Sequence, residues 1–331
     1  MNELLEINDL KVYYRNIAGI SRAVDGISFS VYPGEVFGVA GESGSGKSTL
    51  ISGITRLIRA SVYIPGGTVK FSYRENDAYK NVDLLTLSDD ELRGIRWKHI
   101  SYIPQGSMNS LNPVMRIGDQ ISDTIVEHSQ KSKKEAMSIL PDILNAVNLP
   151  SGVLNMYPHE LSGGMKQRVI IAMALALEPE LIIADEPTTA LDVVSQLSVL
   201  STLLVVSKDI NASLLLITHD MAVHAQTTDR IAVMYAGKIV EIGKTNDVFK
   251  EPLHPYTRAL LSSIPSIDFD KKKRLEGISG IAPSSTNWPS GCRFHPRCPE
   301  VRKECKTIEP SMTRYNDERY VACLLYGGVN Q

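Results

Sequence analysis

Cysteine is scarce in this chain of 331 residues, and long apolar runs are absent. The four cysteines, Cys292, Cys298, Cys305 and Cys323, all fall within the last forty positions, so no disulfide framework spans the body of the molecule. Excess charge of one sign is also missing. With 35 Lys and Arg against 37 Asp and Glu, a formal charge of -2 and a pI near 6.4, nothing calls for nucleic acid or an anionic membrane surface as a partner. The longest apolar run, ending at Leu177, is far short of the roughly 20 residues of a membrane helix. The opening MNELLEINDLKVYY has carboxylates where a signal peptide has a positive segment, and no apolar h-region follows. The expectation is a cytosolic chain that reaches a membrane only through a partner. Its length suggests about two domains, and 43% hydrophobic residues is ordinary for a globular core.

What is present has α/β texture. VFGVA (Val36 to Ala40), LIIA (Leu181 to Ala184) and LLLIT (Leu214 to Thr218) are short, nearly continuous apolar segments, as expected of parallel strands covered on both faces. Helical stretches separate them. From Val62 to Ile100 the text turns polar, with YRENDAYKN and a helical-looking LSDDELRGIRWKHI, and reads as a peripheral subdomain with a surface loop. After Lys250, EPLHPYTRALLSSIP predicts a helix entered through Pro255, and Lys271 to Arg274 a solvated linker. No internal repeat appears, so one set of site motifs is expected.

GESGSGKST, Gly41 to Thr49, has the phosphate-loop spacing of Gly41, four residues, then Gly46, Lys47 and Ser48. Glycines let backbone N–H groups turn around phosphate oxygens, and the helix beginning near Lys47 adds its positive end. Lys47 is placed to reach the β- and γ-phosphates, and Ser48 to ligate Mg²⁺. LIIADEP brings Asp185 to the end of a strand as a magnesium-holding carboxylate, with Glu186 beside it to polarise a water for in-line attack. LSGGMKQR places Ser162, Gly163 and Gly164 at the start of a second helix. Alone, that text is a helix cap; as a second anion site it fits a nucleotide held by another subunit.

The ordered set GESGSGKS, YIPQ with Gln105, LSGGMKQR, LIIADEP, ALD with Asp192, and ITHD with His219 resembles the ATP-binding-cassette (ABC) ATPases over residues 1 to 250. The resemblance implies a P-loop NTPase of α/β class with a mostly parallel core sheet, an antiparallel β subdomain and a helical subdomain at about 106–178. It implies a head-to-tail dimer that sandwiches ATP between the Gly41, Ser43, Gly44, Ser45, Gly46, Lys47, Ser48, Thr49 loop of one subunit and Ser162, Gly163, Gly164 and Asp192 of the other. Glu186 corresponds to the general base, His219 to a γ-phosphate contact, and Gln105 to a residue that senses the γ-phosphate side, joins Ser48 and Asp185 around Mg²⁺ and couples to a membrane partner. Tyr14, or Tyr13, matches the aromatic residue that stacks on adenine.

SLNPVM at Ser110, HPYTRALLSSIP at His254 and GCRFHPRC at Gly291 resemble the dipeptide and oligopeptide importer branch, in the first of its two ATPase types. The implied protein is an importer ATPase at the cytoplasmic face of the cell membrane. Its implied partners are a second ATPase subunit, two membrane permease subunits and an extracytoplasmic solute-binding protein. An oligosaccharide importer and a soluble ABC ATPase of repair, cluster assembly or translation stand as alternatives. Residues 251–331 form a small extension whose four thiols could bind zinc or an iron–sulfur cluster. The cysteine intervals of five, six and seventeen residues do not make the paired knuckles zinc favours, and the branch resemblance implies [4Fe-4S], with Zn²⁺ or unliganded or disulfide-linked thiols as alternatives. His254 and His295 are read as surface histidines. The tail is expected to be a structural accessory apart from ATP binding at Lys47.

Overall fold

The computed structural model describes residues 3–17, 19–76, 78–263 and 278–327; the charged stretch at 271–274 lies outside them. Strands β1 (Leu5–Asn16) and β2 (Gly19–Val31) form an antiparallel hairpin. Next come β3 (Val36–Ala40) and helix α1 (Lys47–Thr55), the strand, loop and helix expected around the phosphate motif. The polar stretch after Val62 folds as β4 (Val62–Glu75) and β5 (Ala78–Asp83), which join the first hairpin in a four-stranded antiparallel sheet ordered β2-β1-β4-β5. Most of YRENDAYKN is therefore a paired hairpin in which Arg74 faces Tyr79 and Tyr73 faces Lys80, and a two-strand pairing needs no special motif in the sequence.

Helix α2 (Asp89–Ile95) starts at Ser88, whose hydroxyl accepts from the Glu91 N–H at 3.3 Å while Glu91 accepts from the Ser88 N–H at 2.7 Å, a reciprocal cap legible in SDDE. Strand β6 (Ile100–Ile103) leads into a helical layer of α3 (Ile117–His128), α4 (Lys133–Ala146) and α5 (Gly163–Leu175). Its apolar interior includes Ile121, Ile125, Leu140, Leu144, Val169 and Ile171. Strand β7 (Leu181–Asp185), α6 (Val193–Asp209), β8 (Ser213–Ile217), α7 (Met221–Thr227), β9 (Arg230–Tyr235), β10 (Lys238–Lys244), α8 (Thr245–Lys250) and α9 (Pro255–Ser262) complete the body. The tail adds β11 (Thr313–Asn316) and β12 (Arg319–Val321).

The second sheet has eight strands in the order β11-β12-β10-β9-β3-β8-β7-β6. Pairing is parallel from β9 through β3, β8 and β7 to β6. At the other edge β10 pairs antiparallel with β9 and β12, so the sheet is mixed, and its outer edge is built by the tail. Every residue of β7 and β8 is buried, as two-sided coverage requires. Tail and body share a buried ion pair: the Arg319 guanidinium meets Glu241 at 2.9 Å, and Glu241 also accepts from the Leu253 and His254 N–H groups.

His254 is not a surface residue. It is fully buried, its Nδ1 accepts from the Tyr256 N–H at 3.0 Å as the cap of α9, and burial holds its pKa down to about 3. His295 is half-buried against the Cys292 carbonyl. Both depart from expectation because a folded tail, rather than solvent, surrounds them.

Candidate active site

The parallel strands bring four motif residues to one end of the sheet. The Gly41 loop follows β3, Gln105 follows β6, Glu186 follows β7 and His219 follows β8. In open α/β sheets the carboxyl ends of the strands are where ligands bind. The sequence fixes the loop shape through glycine: Gly41 has φ 150° and Gly46 φ 107°, and a Cβ at either would lie 2.2 Å from a backbone carbonyl oxygen, of Met234 or of Ala23. Ser43 and Gly44 are exposed along the loop, Ser45 is buried, and Gly46 precedes the first turn of α1.

Lys47 lies under the loop, with Nζ donating to the carbonyls of Gly41 at 2.7 Å and Glu42 at 2.9 Å. Burial lowers its pKa, opposed by the charges of Glu186, Asp185 and Glu42. Asp185 is buried; desolvation raises its pKa, while a hydrogen bond from Ser48 and the charge of Lys47 oppose the rise. Its Oδ1, like the Ser45 hydroxyl, is buried without a hydrogen-bond partner. An unpaired carboxylate oxygen beside a serine hydroxyl is the hard oxygen donor set Mg²⁺ prefers, so Ser48 and Asp185 fit the ion.

Glu186 is held from three sides. Oε2 accepts from Gln105 Nε2 at 2.9 Å and from Thr189 Oγ1 at 3.0 Å, and Oε1 lies 3.0 Å from His219 Nδ1. Its φ of 47° is left-handed, while its N–H bonds the Ile217 carbonyl; such backbone strain persists where neighbours over-determine the conformation. Burial pushes the Glu186 carboxyl up, but the bonds from His219 and Thr189 and the charge of Lys47 outweigh it, and the net pKa is lowered. The group therefore stays ionised at neutral pH, as a base requires. Gln105 bonds this carboxylate.

Of the two candidate tyrosines, Tyr14 faces the loop helix, with its hydroxyl 3.0 Å from Thr49 Oγ1. Tyr13 packs edge-on against Tyr63 and donates to Asp25. Ser162 caps α5, accepting from Met165 N–H at 3.3 Å, and Asp192 caps α6, accepting from Ser195 N–H at 3.0 Å. Gly163 and Gly164 sit beside Leu191 and Ser195. Among the described residues no hydrogen bond joins this pair of helix starts to the phosphate loop or to Glu186.

The expected metal centre in the tail is corrected. Cys292, Cys298, Cys305 and Cys323 are free thiols that line one small cavity with Phe294 and His254, yet among the described residues no group of three or more His, Cys, Asp or Glu could hold a metal ion. A cluster or zinc needs thiolates. Burial acts the other way, pushing the Cys292 thiol up to about 11 and raising Cys298 and Cys323. The relatives reported below are named simply as transport ATP-binding proteins, which gives an iron–sulfur centre no support.

Sequence reasoning missed the contacts behind the loop. The Glu42 side chain pairs with Arg297 at 2.8 Å, and its N–H donates to the Tyr256 hydroxyl at 2.8 Å. Arg297 stands inside GCRFHPRC, but nothing in the order of residues couples it to a position 255 away.

The chain matches the ABC transporter family over residues 24–189 and the oligopeptide/dipeptide transporter C-terminal region over residues 240–305. It is 43% identical to the dipeptide transport ATP-binding protein DppD of Caldanaerobacter subterraneus, covering 98% of each chain. Identity is 43% to the oligopeptide transport ATP-binding protein AppD of Bacillus subtilis, over 98% of each, and 41% to OppD of Salmonella typhimurium, over 97% of this chain and 93% of that one. Its fold is similar to a dimeric ATP-binding cassette, MJ0796, solved in a post-hydrolysis state with ADP and Pi, with TM-score 0.61, 27% identity and coverage of 73% of this chain and 98% of that one. It is also similar to cbiO1 of Clostridium perfringens, with TM-score 0.62, 25% identity and coverage of 76% and 92%. With the ionised carboxylate, the phosphate loop and these matches together, the chain belongs to the ABC transporter family, as an ATPase carrying the C-terminal region of its oligopeptide/dipeptide branch.

Proposed function

We propose that this chain is the ATP-hydrolysing subunit of an importer that drives di- and oligopeptides through membrane permease subunits. The observation that carries the reading is Glu186, bonded by Gln105, Thr189 and His219 near Lys47 and Asp185 at the ends of the parallel strands, in a chain whose near-full-length relatives are named for dipeptide and oligopeptide transport. None of the relatives reported above is named for oligosaccharide transport or for a role outside transport.

ATP lies along the loop from Tyr14 to Lys47, its phosphates facing the backbone N–H groups and the Lys47 ammonium. Ser48 and Asp185 would hold Mg²⁺, with Gln105 as a further oxygen donor, and the ion would supply charge neutralisation to the phosphates. Glu186 accepts a proton from water as the water oxygen bonds phosphorus and the bond to the ADP oxygen breaks. His219 and Thr189 keep the carboxylate aimed and unprotonated. Ser162, Gly163, Gly164 and Asp192 complete the site of a second ATPase subunit, in this reading a heterodimer; the dimeric state of the similar cassette supports the pairing of two ATPase subunits.

Residues 1–250 serve as the nucleotide-binding unit, with 106–178 as its helical subdomain, and 251–331 as the C-terminal extension. Among the described residues no helix is long and apolar enough to cross a membrane. Attachment to the cytoplasmic face runs through the two permease subunits, which a solute-binding protein supplies from the other side. A groove of about 400 Å³ lined by Leu57, Leu92, Ile95, Trp97, Pro104 and Met173 opens beside the Gln105 segment and suits an apolar permease segment there. The test is phosphate release by the assembled transporter in peptide-loaded vesicles. Glu186→Gln should abolish turnover while leaving ATP binding intact; hydrolysis at the wild-type rate would remove the assigned role.

A further inference from the structure

The tail does not stand apart from the phosphate loop, as the sequence suggested it would. Arg297 forms a two-pronged pair with Glu42, Nη1 to Oε2 at 2.8 Å and Nη2 to Oε1 at 3.1 Å. The same guanidinium is fixed by the carbonyls of Ser279 at 2.9 Å and Ile278 at 3.2 Å and by the Tyr235 hydroxyl. Its side chain is 5% exposed and that of Glu42 27%, so this pair is partly shielded from the screening that weakens surface pairs. On the other side of Glu42, its backbone N–H donates to Tyr256 of α9. Its carbonyl receives the Lys47 ammonium and the Ser45 N–H. Ala282, Pro283 and Trp288 line one small cavity with Ser43, Gly44 and Ser45.

Glu42 is thus gripped at its carboxylate and its N–H by residues beyond position 250, while its carbonyl holds the lysine that meets phosphate. A second anchor lies close by. Arg293 pairs with Asp25 and donates to the Ala236 carbonyl at 2.6 Å, and the Trp288 indole donates to the Arg22 carbonyl at 3.0 Å. Asp25 in turn accepts from Tyr13, next to Tyr14 on β1. The tail therefore touches both the phosphate loop and the strands flanking its aromatic residue.

We propose that Arg297 and Tyr256 are positioning residues for ATP: through Glu42 they preset the phosphate loop and Lys47, so the C-terminal extension sets nucleotide affinity. The proposal rests on the ATPase reading above. It assigns the tail to ground-state binding, because Glu186, Thr189 and His219 are placed by β7 and β8 without it. An altered tail contact should raise KM for MgATP and leave kcat nearly unchanged.

The experiment compares full-length variants in the assembled transporter, with MgATP turnover, a fluorescent ATP analogue for affinity, and thermal melting without nucleotide. Arg297→Ala, Glu42→Gln and Tyr256→Phe are each expected to weaken nucleotide affinity about tenfold, the scale of one lost charge-assisted or buried hydrogen bond, with kcat within about twofold. The Glu42→Gln/Arg297→Ala double variant should be no weaker than the worse single, as expected for partners in one contact. Tyr256→Phe and Glu42→Gln keep the test decisive if Arg297→Ala does not fold. Glu318→Gln, on the same segment but paired only with exposed Lys244, should change neither quantity. Melting temperatures that fall while KM stays within twofold of wild type would overturn the proposal alone. Undiminished nucleotide binding by Lys47→Ala would overturn the phosphate-loop reading and this proposal with it.

Discussion

Two clusters of reactive side chains sit in this molecule, one around Lys47 and Glu186 and one around Cys292 and Cys323, and burial meets different opposition in each. In the first, every desolvated group has an opposing partner: Lys47 faces three carboxylates, and Glu186 is held by His219 and Thr189. In the second, desolvation again leads at Cys292, Cys298 and Cys323; a backbone hydrogen bond opposes it at each, and the neighbouring thiols raise them further. Glu186 ends with a lowered pKa, Lys47 and Asp185 are each moved toward their neutral form, and Cys292, Cys298 and Cys323 are raised. Convergence of residue types does not make a site until the ionised form is compensated.

That contrast breaks most sharply at the base. Glu186→Gln should lower hydrolysis by about 10²–10⁴-fold, measured as phosphate release, with nucleotide affinity retained; a loss of tenfold or less would place the proton elsewhere. Next in size is the body-to-tail junction, where Arg319→Ala leaves Glu241 buried and unpaired and should cost about 3–5 kcal/mol in urea unfolding. A change under about 1 kcal/mol would mean that the two regions are not one packed body.

Replacing a thiol should do much less. Cys298→Ser is expected to cost about 1 kcal/mol of stability in the same unfolding assay and to leave MgATP affinity unchanged. Metal analysis of wild-type protein purified without oxygen would erase the contrast if it found stoichiometric iron or zinc.

The finest probe is Thr189→Val, which removes one of the bonds that hold Glu186 down. A depressed carboxyl keeps its base form until pH falls through the folded pKa, so raising that pKa moves the acid limb of turnover to higher pH. At neutral pH the rate should fall less than about threefold. An unmoved limb would show that Thr189 does not tune the base.

Legibility followed locality. The phosphate loop, its helix and the cap at Ser162 were readable because each is decided by residues a few positions apart, and Asp185 and Glu186 because an apolar strand must end somewhere. The hairpin at Tyr73, the buried setting of His254 and the protonated state of the thiols were not readable, since each depends on what packs there from distant segments. The spacing of the cysteines suggested a metal centre; their surroundings made them ordinary core thiols. Arg297 was quoted within a recognisable stretch, yet its role was hidden because its partner, Glu42, is near the other end of the chain.

By itself the sequence determined the loop at Gly41 and Gly46, since only residues without a Cβ fit those left-handed, crowded positions, and it determined which strands are buried on both faces. Tertiary structure alone decided that β3, β6, β7 and β8 converge on one end, that the tail closes behind the phosphate loop through Arg297, and which buried groups carry charge. The reason is electrostatic: an ionisable side chain takes its state from the partners within a few ångströms, and folding, not order in the chain, chooses those partners.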